Sequence, residues 1–258
     1  MRPYDRAQKP ILNRILAGKN ILITGGTSAL GSAFVRKALE AGGSVFFTFH
    51  QSEALAKELE GLGARGFRLD LTDIRAIDLF QKEFRAVVGA HGRAPLHILI
   101  HNAALTQDAT IQNMSEESWD EVLTANLKAP YFLTKKLLSL LFKVQPSKVF
   151  FIISRVALQG IFGASNYAAS KAGLVALAKS LAQELGRKEI LVNCVNPGFM
   201  KSRMTESLPP EVFEKNIRES ALGRLSNPEE VADFLVYLSS DRMTQVTGQV
   251  FHYESRKI

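Results

Sequence analysis

The sequence contains a single cysteine, Cys194, so no disulfide can form within the chain. It also lacks an apolar run long enough to span a membrane; the longest runs, such as residues 149–153, have the length of a β-strand. The first twenty residues are polar and basic and lack the apolar centre of a secretory signal. Together these absences predict a cytoplasmic protein that has no membrane partner.

Acidic residues are outnumbered, with 25 Asp and Glu against 32 Lys and Arg, which gives a formal net charge of +7. This balance favours acidic partners. The basic residues are scattered rather than grouped in blocks, however, and a solvated basic surface explains such a charge without any nucleic acid. We expect neither nucleic acid nor a metal ion as a ligand.

Repeats and flexible linkers are also absent, and strand-sized apolar runs alternate with helix-sized segments. The runs are NILIT, SVFFTF, RGFRL, LHILIH, KVFFIIS, ILVNCVN and GQVFHY, and the segments are 29–41, 53–62, 74–89, 117–142, 166–186 and 228–238. Nearly continuous apolar strands are expected when helices cover both faces of a parallel sheet. We therefore predict a basic N-terminal extension over residues 1–15. Residues 16–258 are predicted to form one α/β domain, a doubly wound parallel sheet of Rossmann-like type with helices on both faces.

A glycine-rich turn, TGGTSALG, follows the first apolar run. Gly25 and Gly26 permit a tight turn with positive φ and let backbone amides approach a pyrophosphate. The next helix would direct its positive end at that anion, and Gly31 would let the helix pass close to the strand. Ala29 replaces a glycine that such loops often carry, but we expect helical backbone there and a functional loop. The motif alone is equally consistent with an ordinary turn.

The second apolar run ends in FHQS, without the acidic residue that binds the adenosine ribose in proteins that prefer NAD. No carboxylate would repel a 2′-phosphate, so NADPH is favoured over NADH, although no arginine stands there either. His50 is a candidate phosphate contact, and a surface histidine without a role is equally consistent. Asp70 is a candidate acceptor for the adenine amino group, while Thr72 or Asp73 beside it is a candidate helix cap.

Four polar residues form a candidate catalytic set. Tyr167 and Lys171, in YAASK, lie four residues apart on one face of a predicted helix. Ser154 ends an apolar strand, and Asn126 is a polar residue inside an otherwise apolar helix. Each has a structural alternative: a strand-end hydroxyl, a satisfied core amide, or a tyrosine–lysine pair that many unrelated helices contain.

The ordered set TGGTSALG, Asp70, HNAA, Asn126, Ser154, YAASK and NPGFMKS resembles the short-chain dehydrogenase/reductase family over about residues 16–250. Within this family the sequence is most similar to 3-oxoacyl-[acyl-carrier-protein] reductases, especially in VNPGFMKSRMTESLP and ALGRLSNPEEVADFLVYLSSDRMTQVTGQV. It departs from the usual pattern at Ala29 and Ala104, where glycine is common. It also departs in its end, VFHYESRKI, where an acidic or amide residue and two glycines are common.

The resemblance implies a role for each catalytic residue. Tyr167 would protonate the substrate carbonyl, and Lys171 would lower the tyrosine pKa toward the working pH and bind the nicotinamide ribose. Ser154 would polarise the carbonyl, and Asn126 would hold a water that connects Lys171 to solvent. The implied cofactor-binding residues are Gly25, Thr27, Ser28, Leu30, Gly31, His50, Asp70, Leu71, Asn102, Ala103, Tyr167, Lys171, Pro197, Gly198, Met200 and Ser202.

The implied reaction is the NADPH-dependent reduction of a 3-oxoacyl group on an acidic acyl carrier protein, in fatty acid synthesis. Residues 201–220 would form a substrate lid. Candidates for the acyl path are Phe162, Met204 and Leu208, which are equally consistent with lid packing. Two alternatives stay open: a reductase of another carbonyl, such as a sugar, steroid, quinone or short ketone, and a sensor or scaffold that binds NADP(H) without turnover.

The resemblance also implies a homotetramer, paired through the helices that contain Asn126 and Tyr167. The cations Lys143, Arg187 and Lys188 close two predicted helices and are candidates for docking the carrier protein. Cations are expected at helix C-termini for another reason, because they complement the helix dipole.

Overall fold

The computed structural model describes residues 14–88, 94–206 and 208–256. Over these residues one sheet forms, in the order β3-β2-β1-β4-β5-β6-β7, and every neighbouring pair of strands is parallel. The strands are β1 (Asn20–Ile23), β2 (Ser44–Phe49), β3 (Arg65–Arg68), β4 (Ile98–His101), β5 (Ser147–Ile152), β6 (Ile190–Asn196) and β7 (Val250–His252). Each predicted apolar run forms a strand, and the doubly wound parallel sheet is confirmed. Most of the predicted N-terminal extension lies outside the described residues.

Helices connect the strands and cover both faces of the sheet. In the described part of the chain they are α1 (Ala29–Glu40), α2 (Glu53–Gly61), α3 (Ala76–Val87), α4 (Glu116–Leu123), α5 (Ala129–Leu141), α6 (Val156–Gln159), α7 (Ser165–Leu185), α8 (Pro210–Glu219) and α9 (Pro228–Ser239). The predicted helix over 117–142 is divided into α4 and α5 by a π-helical turn, Thr124–Lys128. Helices α6 and α8 were not predicted.

The alternation of side chains along the strands divides the interior into two cores. In β1, Ile21 and Ile23 point to the core beneath α1, α2 and α9, whereas Leu22 points to the core beneath α3, α5 and α7. Both faces of the central strands are therefore buried, which explains why their sequences are nearly continuous apolar runs.

The order of the strands reverses beside β1, which lies between β2 and β4. In sheets of this kind ligands bind in the crevice at the carboxyl ends of the strands, at this reversal. Among the described residues no helix is both long and apolar enough to cross a membrane.

Candidate active site

The residues that the sequence singles out lie at one edge of the sheet. Because all seven strands are parallel, the loops that follow β1 to β6 meet at the carboxyl edge. The candidate residues lie on these loops, on the first turns of α1 and α7, and on the π-helical turn before α5. The topology thus brings together motifs that are widely separated in the sequence.

The glycine loop between β1 and α1 is so tight that no Cβ fits at three of its positions. Gly25 has a φ of +66°, and a Cβ there would lie 2.9 Å from the Cα atom of Ala103. At Gly31 a Cβ would lie 2.2 Å from the carbonyl oxygen of Gly25. The expectation of positive φ at both loop glycines is wrong for Gly26, where a Cβ would instead lie 2.5 Å from that of Phe47.

Helix α1 begins at Ala29, where the sequence places the start of this helix. Its N-cap is Ser28, whose Oγ accepts a hydrogen bond of 3.1 Å from the N–H of Gly31. Thr27 and Leu30 flank this cap, and other N–H groups of the first turn have no partner within the helix. These N–H groups and the positive end of the helix form a site that fits a pyrophosphate.

Asn102, a predicted cofactor contact, braces the glycine loop from β4. Its Nδ2 donates to the carbonyl oxygens of Thr24 and Gly25, at 3.0 Å each, and lies 3.0 Å from the Oγ of Ser28. The N–H groups of Asn102 and Ala103 both donate to the Oγ1 of Thr24. The amide side chain therefore fixes the shape of the loop that would receive the cofactor.

His50 and Asp70 lie at the adjacent ends of β2 and β3, with His50 Nε2 3.7 Å from Asp70 Oδ2. Burial raises the pKa of Asp70, but two hydrogen bonds from Thr72 and the nearby His50 outweigh it, so the pKa is lowered. Leu71 packs against the core beneath α3. Asp73 Oδ1 accepts a 2.9 Å hydrogen bond from the N–H of Arg75 at the turn that leads into α3, as the capping alternative expects of Asp73. The Oδ2 atom of Asp70 lies at the carboxyl edge of the sheet, where an adenine would lie.

Ser154, Tyr167 and Lys171 come together where β5 ends and α7 begins. The Ser154 side chain lies close enough to the Tyr167 hydroxyl to oppose part of the rise in the tyrosine pKa. Lys171 is buried, with its Nζ 5.6 Å from the centroid of the Tyr167 ring, and it donates a 2.8 Å hydrogen bond to the carbonyl oxygen of Ile152. Tyr167 is only partly buried. A carbonyl oxygen placed between the two hydroxyls would accept a hydrogen bond from each.

Burial dominates the electrostatics of this group. Burial raises the pKa of Tyr167 to about 12, against the opposing effect of the Ser154 hydrogen bond. Burial lowers the pKa of Lys171 to about 8. The expectation that Lys171 lowers the tyrosine pKa toward the working pH stays a prediction.

Asn126 is buried in the π-helical turn, where its side chain binds protein groups. Its Oδ1 accepts from the N–H of Leu105, and its Nδ2 donates to the carbonyl oxygen of Leu105, both at 2.8 Å. The same Nδ2 donates to the Oγ of Ser170 at 3.2 Å. The side chain therefore ties the loop after β4 to α7, and π-helical turns of this kind are frequent at functional sites. The predicted water-holding role stays a prediction.

The loop after β6 contains the four predicted nicotinamide contacts Pro197, Gly198, Met200 and Ser202. Gly198 has a φ of +79°, and a Cβ there would lie 2.1 Å from the Oγ of Ser226. Met200 is buried, and the N–H of Ser202 donates to the Oγ1 of Thr205 at 2.9 Å. The loop is therefore a defined turn at the carboxyl edge.

The expected lid, residues 201–220, includes the helix α8. The end of this helix is held by Arg155, which directly follows the candidate catalytic Ser154 and lies 3.0 Å from a carboxylate oxygen of Glu219. This ion pair connects the expected lid to the segment after β5. A lid function stays a prediction.

The unusual C-terminal segment also holds the lid. Arg256 pairs with Glu254 at 2.6 Å, with side chains 9% and 2% exposed, and donates to the side chain of Asn216 on α8. The carbonyl oxygen of Ser255 accepts from the N–H of Ala221, which directly follows the lid. Glu254, Ser255 and Arg256 therefore form a clasp on α8.

Two titratable residues, one near Tyr167 and one near Lys171, were not predicted from the sequence. Asp108 lies close enough to Tyr167 that its charge contributes to the raised tyrosine pKa. His101 is buried and stacked on Phe151 at 4.9 Å, and burial and the nearby Lys171 lower its pKa to about 3. His101 could have been predicted from its position directly before NAA. Asp108 could not, because no motif surrounds it.

The candidate docking cations lie at the opposite edge of the sheet. Lys143 precedes β5, and Arg187 and Lys188 precede β6, so all three lie at the amino ends of the strands. Lys188 Nζ is 4.7 Å from the centroid of the Phe142 ring. Because Phe142 directly precedes Lys143, and Arg187 directly precedes Lys188, this contact brings the two cationic segments together. They do not line the cleft of their own chain. The described residues also contain no cluster of three or more His, Cys, Asp or Glu that could hold a metal ion.

The sequence was compared with protein families and with curated proteins. Residues 25–255 match the family described as "Enoyl-(Acyl carrier protein) reductase". The 3-oxoacyl-[acyl-carrier-protein] reductase FabG of Thermotoga maritima is 37% identical over 240 residues, which cover 91% of this chain and 96% of the relative. FabG of Escherichia coli K12 is 31% identical over 237 residues, which cover 91% of this chain and 95% of the relative.

Solved structures have the same architecture. RhlG of Pseudomonas aeruginosa, described as an NADP active-site complex, has a TM-score of 0.85 and 28% identity, and the match covers 96% of this chain and 98% of RhlG. BdcA, in complex with NADPH, has a TM-score of 0.81 and 26% identity, and the match covers 92% of this chain and 93% of BdcA.

Proposed function

Since the chain belongs to the short-chain dehydrogenase/reductase family, whose members are NAD(P)-dependent oxidoreductases, we propose that it reduces 3-oxoacyl thioesters on an acyl carrier protein with NADPH. The observation that carries this proposal is the convergence of Ser154, Tyr167 and the buried Lys171 where β5 ends and α7 begins. The FabG relatives support the acyl substrate, and the reaction belongs to fatty acid synthesis in the cytoplasm.

The residues at the carboxyl edge fit a dinucleotide. The crowding at Gly25 and Gly31 leaves the first turn of α1 open to a pyrophosphate, and Ser28 caps that turn. Asp70 would receive the adenine, and the loop containing Pro197 would receive the nicotinamide. The RhlG and BdcA structures, which are described with NADP and NADPH, support the phosphorylated form of the cofactor.

When NADPH is bound, it supplies a hydride to the carbonyl carbon of the substrate. Ser154 orients the carbonyl oxygen, and Tyr167 donates its phenolic proton to that oxygen, so the keto group becomes a hydroxyl group. The raised pKa of Tyr167 keeps this proton in place at neutral pH, which suits the reduction direction. Lys171 would hold the nicotinamide ribose and favour the phenolate that remains. Solvent then returns the proton to Tyr167.

Apolar side chains at the entrance fit an acyl chain. Ile161 is 60% exposed and Phe162 is 91% exposed, just before the turn of α7 that contains Tyr167. A bridge between Ala109 and Ala164 joins this segment to the loop after β4. Exposed apolar groups beside a polar catalytic centre are typical of a binding surface. Met204, 42% exposed in the lid, would complete the acyl path.

The position of the three cations suggests how a carrier protein would dock on an oligomer. A two-fold axis perpendicular to the paired α5 and α7 helices makes each helix antiparallel to its copy, so the amino edge of one sheet would lie near the carboxyl edge of the partner. Lys143, Arg187 and Lys188 would then face a partner's cleft. Tyr131 and Phe142, about 40% exposed on and after α5, provide apolar surface for such pairing in the proposed homotetramer.

The proposal is tested by following NADPH oxidation with 3-oxoacyl groups of increasing length on acyl carrier protein and on coenzyme A. We expect turnover of both, with a lower KM for the carrier protein. Replacing Lys143, Arg187 and Lys188 by glutamate should raise the KM for the carrier-protein substrate but not for the coenzyme A substrate. Turnover of sugar, steroid, quinone or short-ketone substrates alone would refute the acyl assignment.

A further inference from the structure

The end of β2 lies next to the glycine loop. The residues at this end include no lysine or arginine that could bind a phosphate tightly. The N–H of Gly26 donates to the carbonyl oxygen of Thr48 at 2.8 Å, and the N–H of Gly25 donates to its Oγ1 at 3.3 Å. A dinucleotide with its pyrophosphate at α1 therefore places its adenosine ribose at residues 49–52. This segment contains neither a carboxylate nor an arginine or lysine.

The side chain of Arg203, which lies on the opposite side of the cleft, contacts this segment. The Nη1 atom of Arg203 donates to the Oγ of Ser52 at 3.4 Å, although 151 residues separate the two in sequence. Arg203 stands on a hydrogen-bonded turn in which the Thr205 N–H donates to the Ser202 carbonyl at 3.0 Å. The Oγ1 of Thr205 also donates to the carbonyl oxygen of Met200 at 3.1 Å. The guanidinium group is therefore carried across the sheet edge by an ordered segment.

The charge of Arg203 is not neutralised by the protein. Two other arginines have carboxylate partners: Arg68, at the end of β3, pairs with Glu53, and Arg36, on α1, pairs with Glu58. Within the described ranges no carboxylate oxygen lies within 4 Å of Arg203. Its contact with Ser52 uses one of five N–H donors, and the remaining donors match a phosphate group in geometry and charge.

We propose that Arg203, together with Ser52, binds the 2′-phosphate of NADPH and thereby selects NADPH over NADH. The inference rests on the proposed function, because it assigns a ligand to a cofactor that the fold is proposed to hold. Since Arg203 belongs to the lid segment that begins at Lys201, binding of the 2′-phosphate also fastens the first part of the lid over the cofactor. Cofactor choice and lid position are then coupled through one side chain.

Equilibrium binding tests this proposal without turnover. Isothermal titration of the full chain is carried out with NADP⁺, NAD⁺, adenosine 2′,5′-bisphosphate and adenosine 5′-monophosphate. The variants are Arg203→Ala and Arg203→Lys, with Arg218→Ala as a control that removes an exposed arginine from α8. We expect Arg203→Ala to weaken NADP⁺ and the 2′,5′-bisphosphate by about 10- to 100-fold, as for the loss of hydrogen bonds to a charged group. NAD⁺ and the monophosphate should change less than about twofold, and Arg203→Lys should weaken NADP⁺ to an intermediate degree.

Other results would overturn the proposal. Equal weakening of NADP⁺ and NAD⁺ would show that Arg203 contacts a part common to both cofactors, and unchanged NADP⁺ binding would exclude any contact. A loss of NADP⁺ binding in Arg218→Ala as large as in Arg203→Ala would indicate general disruption of the lid. Failure of the wild-type protein to bind NADP⁺ refutes the proposed function itself, whereas binding and turnover that do not depend on Arg203 refute this inference alone.

Discussion

The Nζ atom of Lys171 lies 5.6 Å from the centroid of the Tyr167 ring, while its hydrogen bond goes to the carbonyl oxygen of Ile152. The ammonium is thus held beside the phenol by the end of β5 rather than by the phenol itself. In the protein alone this leaves Tyr167 protonated, because burial raises its pKa to about 12. The site therefore contains the proton that a carbonyl reduction needs before any ligand binds.

The first prediction concerns this proton. Tyr167→Phe should lower kcat by about 10²- to 10⁴-fold, the usual contribution of a general acid, and leave the Kd for NADPH within a few-fold. Steady-state kinetics and cofactor titration measure the two effects separately. Tyr237→Phe, which removes an exposed hydroxyl on α9, serves as the control and should behave as the wild type. Full activity of Tyr167→Phe would exclude its role as the proton donor.

The second prediction concerns the tight packing of the glycine loop. Gly31→Ala should weaken NADPH binding strongly and lower the free energy of unfolding by about 1–3 kcal/mol, because the new Cβ would lie 2.2 Å from the carbonyl oxygen of Gly25. Gly61→Ala is the matched control, since no atom lies within 4 Å of its Cβ position at the end of α2. Urea unfolding and cofactor titration of both variants provide the comparison. Equal effects of the two substitutions would contradict this reading.

The third prediction concerns the pH dependence of stability. Lys148 is buried in β5 and donates to the carbonyl oxygens of Leu238 and Ser240, and burial lowers its pKa to about 8 from the ordinary 10.5. Between these two values the unfolded chain binds the proton and the folded chain does not, so the contribution of Lys148 to stability rises with pH. Below pH 8 Lys148 is a cation in both the folded and the unfolded chain, and the free-energy cost of burying it does not change with pH.

Lys148→Met removes this titration. The unfolding free energy of the wild type, minus that of the variant, should increase from pH 8 to pH 10 by at most about 1.4 kcal/mol per pH unit. The difference between the proteins is the proper measurement, because Cys194 and Tyr167 have raised pKa values and oppose the trend in both of them. A difference that stays constant or falls with pH would contradict the assigned direction.

The fourth prediction concerns the C-terminal clasp on α8. Arg256→Ala leaves the buried carboxylate of Glu254 without its cationic partner, with the hydrogen bond from Asn196 Nδ2 remaining, and should lower the free energy of unfolding by about 3–5 kcal/mol. It should also raise the KM for the acyl substrate and speed proteolysis within residues 201–220, because Asn216 loses its contact with the tail. The double variant Glu254→Gln, Arg256→Met should recover much of the stability but keep the raised KM, since the contact with α8 is still missing. A normal KM in both variants would show that the clasp does not position the lid.

The strands were predictable because their signal is local: a strand buried on both faces must be apolar throughout. The candidate catalytic residues depended on the whole ordered set of motifs, because a tyrosine and a lysine four residues apart occur on many unrelated helices, and their roles stay predictions. The amino-edge position of Lys143, Arg187 and Lys188 was also contained in the sequence, because a residue that precedes a parallel strand lies at that edge. Helix α8 was missed because its apolar residues are few among charged ones.

The alternation of strands and helices, the glycine loop and the residues at the carboxyl edge all follow from local sequence patterns. What those residues contact depends on the packed chain: Asn102 braces the loop, burial raises the pKa of Tyr167, Arg256 holds α8, and Arg203 reaches Ser52. Periodicity and turn chemistry act over a few residues, whereas desolvation and contacts between distant segments depend on how the whole chain packs.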